Sequence, residues 1–362
     1  MCINCTFTRM NFSIGVLRTK KIFFGLLILL TVFSCKKPSH KLVEHGFYYW
    51  KTNFKLSSKD KEVLTKCDIK KLYIRFFDVA FDKINKQPKP VQPIILTDKF
   101  PVGIAIIPVV FITNETLQKT DSSQMATLGK NISNKITEML KTADNKNVSE
   151  IQMDCDWSAS TKEKYFNLIR AIRPFADENH WKISATIRLY QEKYFNTAGI
   201  PPVDRGTLMD YNMQPLTNPN VSNSIIDVNE ENKYLGYLDK YPLKLDVVLP
   251  IFYWGVLFRN NQFYGILNNL SENDLKNNFS FTEISKNNYV AKIDVDLNSF
   301  HLFQNDRIRL ESCSENVLEK SIELIDKKNK TDSLCFSFFS LDSLLIKPLG
   351  YEKINSLYAR YR

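Results

Sequence analysis

The sequence predicts an α/β chain folded as a single (β/α)8 TIM-type barrel, and three observations carry that expectation. Short apolar runs alternate with amphipathic helical stretches along almost the whole chain after Cys35. Eight of those runs read as strands, and alternating strands and helices imply a parallel sheet. Residues 36–362 fall inside the range of roughly 200 to more than 400 residues over which such a sheet closes on itself. An open doubly wound sheet is the competing arrangement. It usually carries a Gly-rich turn after its first strand, and none follows Trp50.

The strand candidates, in order, are Phe47–Lys51, Lys71–Phe81, Val102–Ile112, Glu150–Trp157, Lys182–Arg188, Gly206–Asn212, Asp246–Trp254 and Leu334–Leu341. They are rich in Val, Ile, Phe and Tyr, and several are apolar nearly throughout, as strands buried on both faces should be. Between them, Ser57–Cys67 opens on a helix-start pattern. Thr127–Ala143 carries Ile132, Ile136, Met139 and Leu140 at helical spacing. Thr161–Asn179 places Tyr165, Leu168, Ile169 and Ile172 on one stripe, and Glu230–Lys240, Ser314–Lys328 and Gly350–Tyr361 complete the helices. Lys83–Pro93, with three prolines, reads as a loop. The Asn-rich stretch at about 260–310, with a strand-like run at Tyr289–Asp294, reads as an insertion after strand seven. The barrel domain is expected to span residues 46–362.

The first 35 residues read as a targeting segment. Arg18, Lys20 and Lys21 precede an apolar run, Ile22–Phe33, too short to span a bilayer well. Met10 also opens a complete signal sequence. The run ends in Val32-Phe33-Ser34-Cys35, followed by Lys36-Lys37. This resembles the lipobox of bacterial lipoproteins, which implies that Cys35 is acylated and becomes the new N-terminus. Residues 36–45 would then form a spacer reaching at most about 35 Å. The expected location is the cell envelope, with the barrel tethered by lipid to the outer membrane.

Composition removes several function classes. The formal charge of +10 includes Arg9, Arg18, Lys20 and Lys21 in the leader, so the mature chain carries about +6 without long basic blocks. No nucleic-acid partner is expected. Gly is only 11 of 362 residues and forms no phosphate-cradling loop, so no nucleotide cofactor is expected. Cys67, Cys155, Cys313 and Cys335 make no Cys-x-x-Cys pair, and His40, His45, His180 and His301 stand in no catalytic pattern. Neither a metal site nor a Ser-His-Asp hydrolase is expected. Chemistry, if present, runs on carboxylates.

In such barrels the active site lies at the C-terminal ends of the strands. That rule selects Trp50 on strand one, Arg75 and Asp78 on strand two, and Asp154, Asp156 and Trp157 on strand four. It adds Arg188 and Tyr190 at strand five, Asp210, Tyr211 and Asn212 at strand six, Tyr253 and Trp254 at strand seven, and Asp342 at strand eight. Asp154 and Asp156 are two residues apart on a strand, so both side chains project to one face and repel. One of them should hold a proton more readily than a free Asp, the usual equipment for acid/base work.

Met153-Asp154-Cys155-Asp156-Trp157 resembles the Asp-x-Asp-Trp-Glu signature on strand four of chitinase-like family 18 glycoside hydrolases. Leu208-Met209-Asp210-Tyr211-Asn212 is similar to their Met-x-Tyr-Asp run on strand six. The resemblance implies a glycan-binding cleft. Its general-acid Glu would fall at Ser158, and its strand-eight Trp has no counterpart in Leu334–Leu341. Ser158 cannot supply that proton. Either Asp156 has become the acid, supported by Asp154, Asp210, Tyr211 or Asp342, or catalysis is lost and the cleft only binds glycan. The expected partner is a polysaccharide or glycan, taken up by a monomer. A scaffold lipoprotein is the remaining alternative.

Overall fold

The computed structural model describes residues 41–143 and 147–361. Cys35, the expected leader and the first half of the expected spacer lie outside the described residues. Strand β1 runs Leu42–Tyr49, so Leu42–His45 belong to the barrel and not to the spacer. The others are β2 (Ile69–Asp82), β3 (Ala105–Ile112), β4 (Glu150–Asp154), β5 (Lys182–Arg188), β6 (Arg205–Met209), β7 (Leu245–Pro250) and β8 (Ser333–Phe339). Neighbours pair in parallel around the ring. β1 pairs with both β8 and β2, which closes the barrel.

The helices cover the outside. Helix α1 (Ser58–Lys66) starts at a capping box in which Ser57 and Asp60 satisfy each other's backbone N–H. In α2 (Met125–Thr142), Leu128, Ile132, Ile136 and Leu140 recur every four residues and are all buried. Helix α3 (Lys162–Glu178) buries Tyr165, Leu168, Ile169 and Ile172. Asp227 caps α4 (Val228–Tyr234), and α5 (Glu315–Lys328) and α6 (Tyr351–Arg360) finish the shell.

Inside the ring the chain departs from the aliphatic filling usual for such barrels. Tyr48 Oη donates to Gln152 Oε1 at 2.7 Å, and Gln152 Nε2 donates to Thr207 Oγ1 at 3.0 Å and Ser184 Oγ at 3.2 Å. Side chains from four strands, β1, β4, β5 and β6, thus form a hydrogen-bonded layer beneath the mouth. Gly46 belongs to this interior: a Cβ there would collide with Ser337 Oγ and lie 2.7 Å from Cys335 Sγ.

Strands four and six stop at Asp154 and Met209, short of the expected Trp157 and Asn212, and two longer segments also differ from expectation. Lys83–Pro93 is not a loop throughout, because Gln87–Val91 forms an edge strand antiparallel to the end of β2. Pro88 and Pro90 are two apart, so both turn their missing N–H the same way, which an edge strand tolerates. The strand expected to reach Trp254 stops at Pro250, and Trp254–Arg259 opens a separate five-stranded antiparallel sheet that ends with Arg307–Glu311. That sheet has its own small core, including Leu257, Leu267, Ile308 and Leu310. Its asparagines serve turns: Asn260 and Asn261 join the first two strands with φ of 53° and 60°, the left-handed pair that a tight hairpin requires. Among the described residues, no helix is long and apolar enough to cross a membrane.

Candidate functional site

The C-terminal ends of the barrel strands surround a cleft of about 760 Å³. Asp154, the last residue of β4, stands at its base and is only 3% exposed. Thr186 Oγ1 on β5 donates to Asp154 Oδ1 at 2.6 Å. Burial pushes the Asp154 carboxyl up to about 6; Arg188 opposes that shift and Asp156 reinforces it. Asp156 is exposed on the same side of the chain. Arg188 holds it, with Nε at 2.5 Å from Oδ1 and Nη2 at 3.4 Å from Oδ2. The Arg188 guanidinium also lies 5.5 Å from the centre of the Tyr211 ring. The proton expected on one member of the pair therefore belongs to Asp154, whose carboxyl is buried, and not to Asp156, the acid the sequence suggests.

The other cleft charges are paired as well. Arg75 grips Asp78 through two parallel bonds of 2.7 and 2.6 Å and also donates to Gln92 Oε1 at 2.8 Å. Lys51 Nζ sits 2.9 Å from Asp342 Oδ2, while Asp342 Oδ1 caps the following short helix by accepting from Leu344 N.

Aromatic rings form the floor and one wall. Phe339 ends β8 with its ring 5.3 Å from Trp50, 5.5 Å from Tyr211 and 6.1 Å from Phe252. Phe252 continues to Trp254 at 4.9 Å, and Tyr253 lines the same wall. Sequence reasoning missed Phe339, Phe252, Gln92 and Lys51. Phe339 lies inside the expected strand Leu334–Leu341, which ends at Phe339 in the structure. Gln92 lay in the stretch read as loop.

Three expected site residues lie elsewhere, each for a reason of strand parity or local packing. Trp157 is fully buried outside the barrel ring, stacked on Tyr165 of α3 at 4.9 Å, with Nε1 donating to Ala198 O at 2.8 Å. It directly follows Asp156, and consecutive residues of extended chain face opposite ways. Asp210 precedes Tyr211 and is turned outward for the same reason. Ser321 Oγ bridges Asp210 Oδ2 (3.0 Å) and Glu231 Oε1 (2.9 Å), and burial pushes this carboxyl pair upward so that it keeps a proton. Tyr190 lies in the first turn of a short helix, Leu189–Lys193, and donates to Trp157 O at 2.6 Å. It lines an adjoining cavity of about 510 Å³ that shares Asp156, Arg188, Tyr211 and Asn212 with the cleft. Asn212 adopts φ of 56° between the two cavities.

Ser158 is also withdrawn from the cleft. Its hydroxyl bonds to those of Ser160 (2.9 Å) and Thr161 (3.2 Å) at the start of α3. Among the described residues, no group of three or more His, Cys, Asp or Glu is placed to hold a metal ion.

No protein-family model matches the chain, and no curated protein matches it significantly. Solved structures do match. The spore cortex-lytic enzyme SleL of Bacillus cereus superposes with a TM-score of 0.52 at 14% identity, over 89% of this chain and 75% of that one. A chitinase of Chromobacterium violaceum gives 0.52 at 10% identity, over 88% and 99%. The family 18 chitinase ChiB of Flavobacterium johnsoniae gives 0.52 at 12% identity, over 88% and 94%. At these identities the likeness is one of fold: a closed eight-stranded parallel barrel of the family 18 chitinase type.

Proposed function

We propose that this chain binds a neutral glycan in the cleft at the C-terminal mouth of its barrel. The reading is carried by one observation: seven aromatic side chains line the cleft together with charged groups that are already paired. Flat ring faces suit the apolar faces of sugars, and a few convergent polar groups set orientation. Lys51, Arg75 and Arg188 each hold a carboxylate, so an acidic sugar would have to displace Asp342, Asp78 or Asp156. A neutral sugar need not. The similar solved structures, by name a cortex-lytic enzyme and chitinases, support a glycan ligand.

Hydrolysis is the second reading, and the raised carboxyl of Asp154 favours it. A carboxyl that keeps its proton to about pH 6, beside Asp156 and Tyr211, is placed to assist bond cleavage. Asp156, clamped by Arg188, is the weaker candidate for proton donor. We read the protein as a tethered monomer, exported by its N-terminal segment and anchored through a lipid on Cys35.

The test is calorimetric titration of the full chain in mild detergent with neutral and acidic oligosaccharides, alongside assay of new reducing ends. Binding of neutral sugars that Trp254→Ala destroys is the expected result. Turnover abolished by Asp154→Asn with binding retained would establish the second reading. Absence of binding to every sugar would sink both. Anchoring is read separately: radiolabelled palmitate should enter the wild type in a bacterial host and be lost in Cys35→Ser.

A further inference from the structure

The wall of the cleft formed by Trp254 belongs to the sheet inserted after β7, and a buried charge network ties it down. Trp254 and Glu311 face each other directly across paired antiparallel strands. Trp254 Nε1 donates to Glu311 Oε2 at 2.8 Å, and Ser224 Oγ, from the segment following β6, donates to the same oxygen at 2.6 Å. Glu311 Oε1 accepts from Arg309 Nε at 2.7 Å. Arg309 lies on the same face of the sheet and donates onward to the carbonyls of Asn218 (2.7 Å) and Leu216 (3.2 Å). The Arg309 and Glu311 side chains are 2% and 0% exposed. Glu311 therefore joins three segments, two of which line the cleft through Trp254 and Asn212.

We infer that Glu311 is a positioning residue for glycan recognition, holding the Trp254 indole in the plane in which it meets sugar. The inference rests on the glycan reading above. A buried ion pair adds little stability over apolar packing of the same volume, so its contribution here is geometric. A half-exposed ring on a cleft wall is free to turn unless something holds it, and ordering it during binding costs affinity. A carboxylate acceptor gives the indole N–H a stronger bond than a neutral oxygen would. The hold is made before ligand arrives.

The experiment uses the full chain in detergent, with chitohexaose and cellohexaose as probes. Glu311→Ala should weaken binding about tenfold, the size of one lost hydrogen bond to a charged group. Glu311→Gln keeps an oxygen that accepts from the indole and should stay within about threefold of wild type, since a neutral acceptor is weaker but present. The indole N–H signal of Trp254, identified by its loss in Trp254→Phe, should exchange with solvent faster in Glu311→Ala than in wild type and stay slow in Glu311→Gln. Unchanged affinity and unchanged exchange in Glu311→Ala overturn the inference. So does a Glu311→Gln variant as weak as Glu311→Ala, because the ion pair with Arg309 and not the indole contact would then be what matters. If neither probe binds wild type, the glycan reading fails for these sugars, and the exchange rates still decide whether Glu311 holds the ring.

Discussion

Arg188 Nε lies 2.5 Å from Asp156 Oδ1, and the same guanidinium draws down the proton affinity of Asp154 one strand away. One cation thus serves two carboxyls at once. It neutralises the exposed one and keeps the buried one from rising further. Asp156 acts on Asp154 in the other direction, by repulsion.

These opposing influences make a signed prediction for the cleft. Arg188→Met should move the Asp154 titration above its value of about 6, and Asp156→Asn should move it below. Carboxyl carbon NMR across pH 3–9 reads both, using Asp154→Asn to identify the signal. Shifts of the same sign in the two variants would contradict the assignment of Asp154 as the buried proton holder.

Behind β6, the fully buried Glu192 predicts a pH dependence of stability. Burial pushes its carboxyl up to about 8, with Lys328 opposing and Asp210 reinforcing. A group raised in the folded state stabilises below its ordinary unfolded value of about 4.3, and that contribution is lost as pH rises through the folded one. Glu192→Gln removes the titration. The melting temperature of the variant relative to wild type should therefore climb steadily between pH 4 and pH 9. A difference that stays flat over that interval would refute the claim.

The two tryptophans that sequence reasoning placed together should separate by phenotype. Trp157→Ala empties a buried site between β4 and α3 and should cost about 3–5 kcal/mol of stability in denaturant unfolding. Trp254→Ala should unfold near the wild-type midpoint and lose glycan binding instead. Similar stability losses in both would contradict the placement of Trp157 in the helical layer.

Gly46 tests the packing of the barrel interior. Gly46→Ala drives a methyl into Ser337 and Cys335 and should destabilise by about 1–3 kcal/mol. Removing the obstructing hydroxyl in the Gly46→Ala/Ser337→Ala double variant should recover part of that loss, measured as a coupling in a double-mutant cycle. Strict additivity would mean that the strain is relieved elsewhere.

The carboxyl pair shows where reading the chain sufficed. All eight barrel strands and the longer helices were legible, because burial on both faces leaves long apolar runs and a single buried face leaves a helical stripe, whereas short helices such as Leu189–Lys193 leave no stripe to read. Asp154 and Asp156 could be paired because their spacing of two is a property of extended chain itself. The Asn-rich insertion was visible, since left-handed turn positions select asparagine.

What the one-dimensional pattern could not state was which alternate residues face the cleft. Asp156 and Trp157 are neighbours, as are Asp210 and Tyr211, and in each pair only one can point inward. Register around the closed ring chose Asp156 and Tyr211, and sent Trp157 and Asp210 to the helices. Distances across the fold decided the rest. Phe339 meets Trp50 from the far end of the chain, Gln92 reaches Arg75 from a hairpin, and Glu311 reaches Trp254 across a sheet. The sequence by itself determined the barrel and the rough latitude of its site, since periodicity is local. Only tertiary structure decided the membership and electrostatics of that site, because both depend on burial and on neighbours brought together by closure.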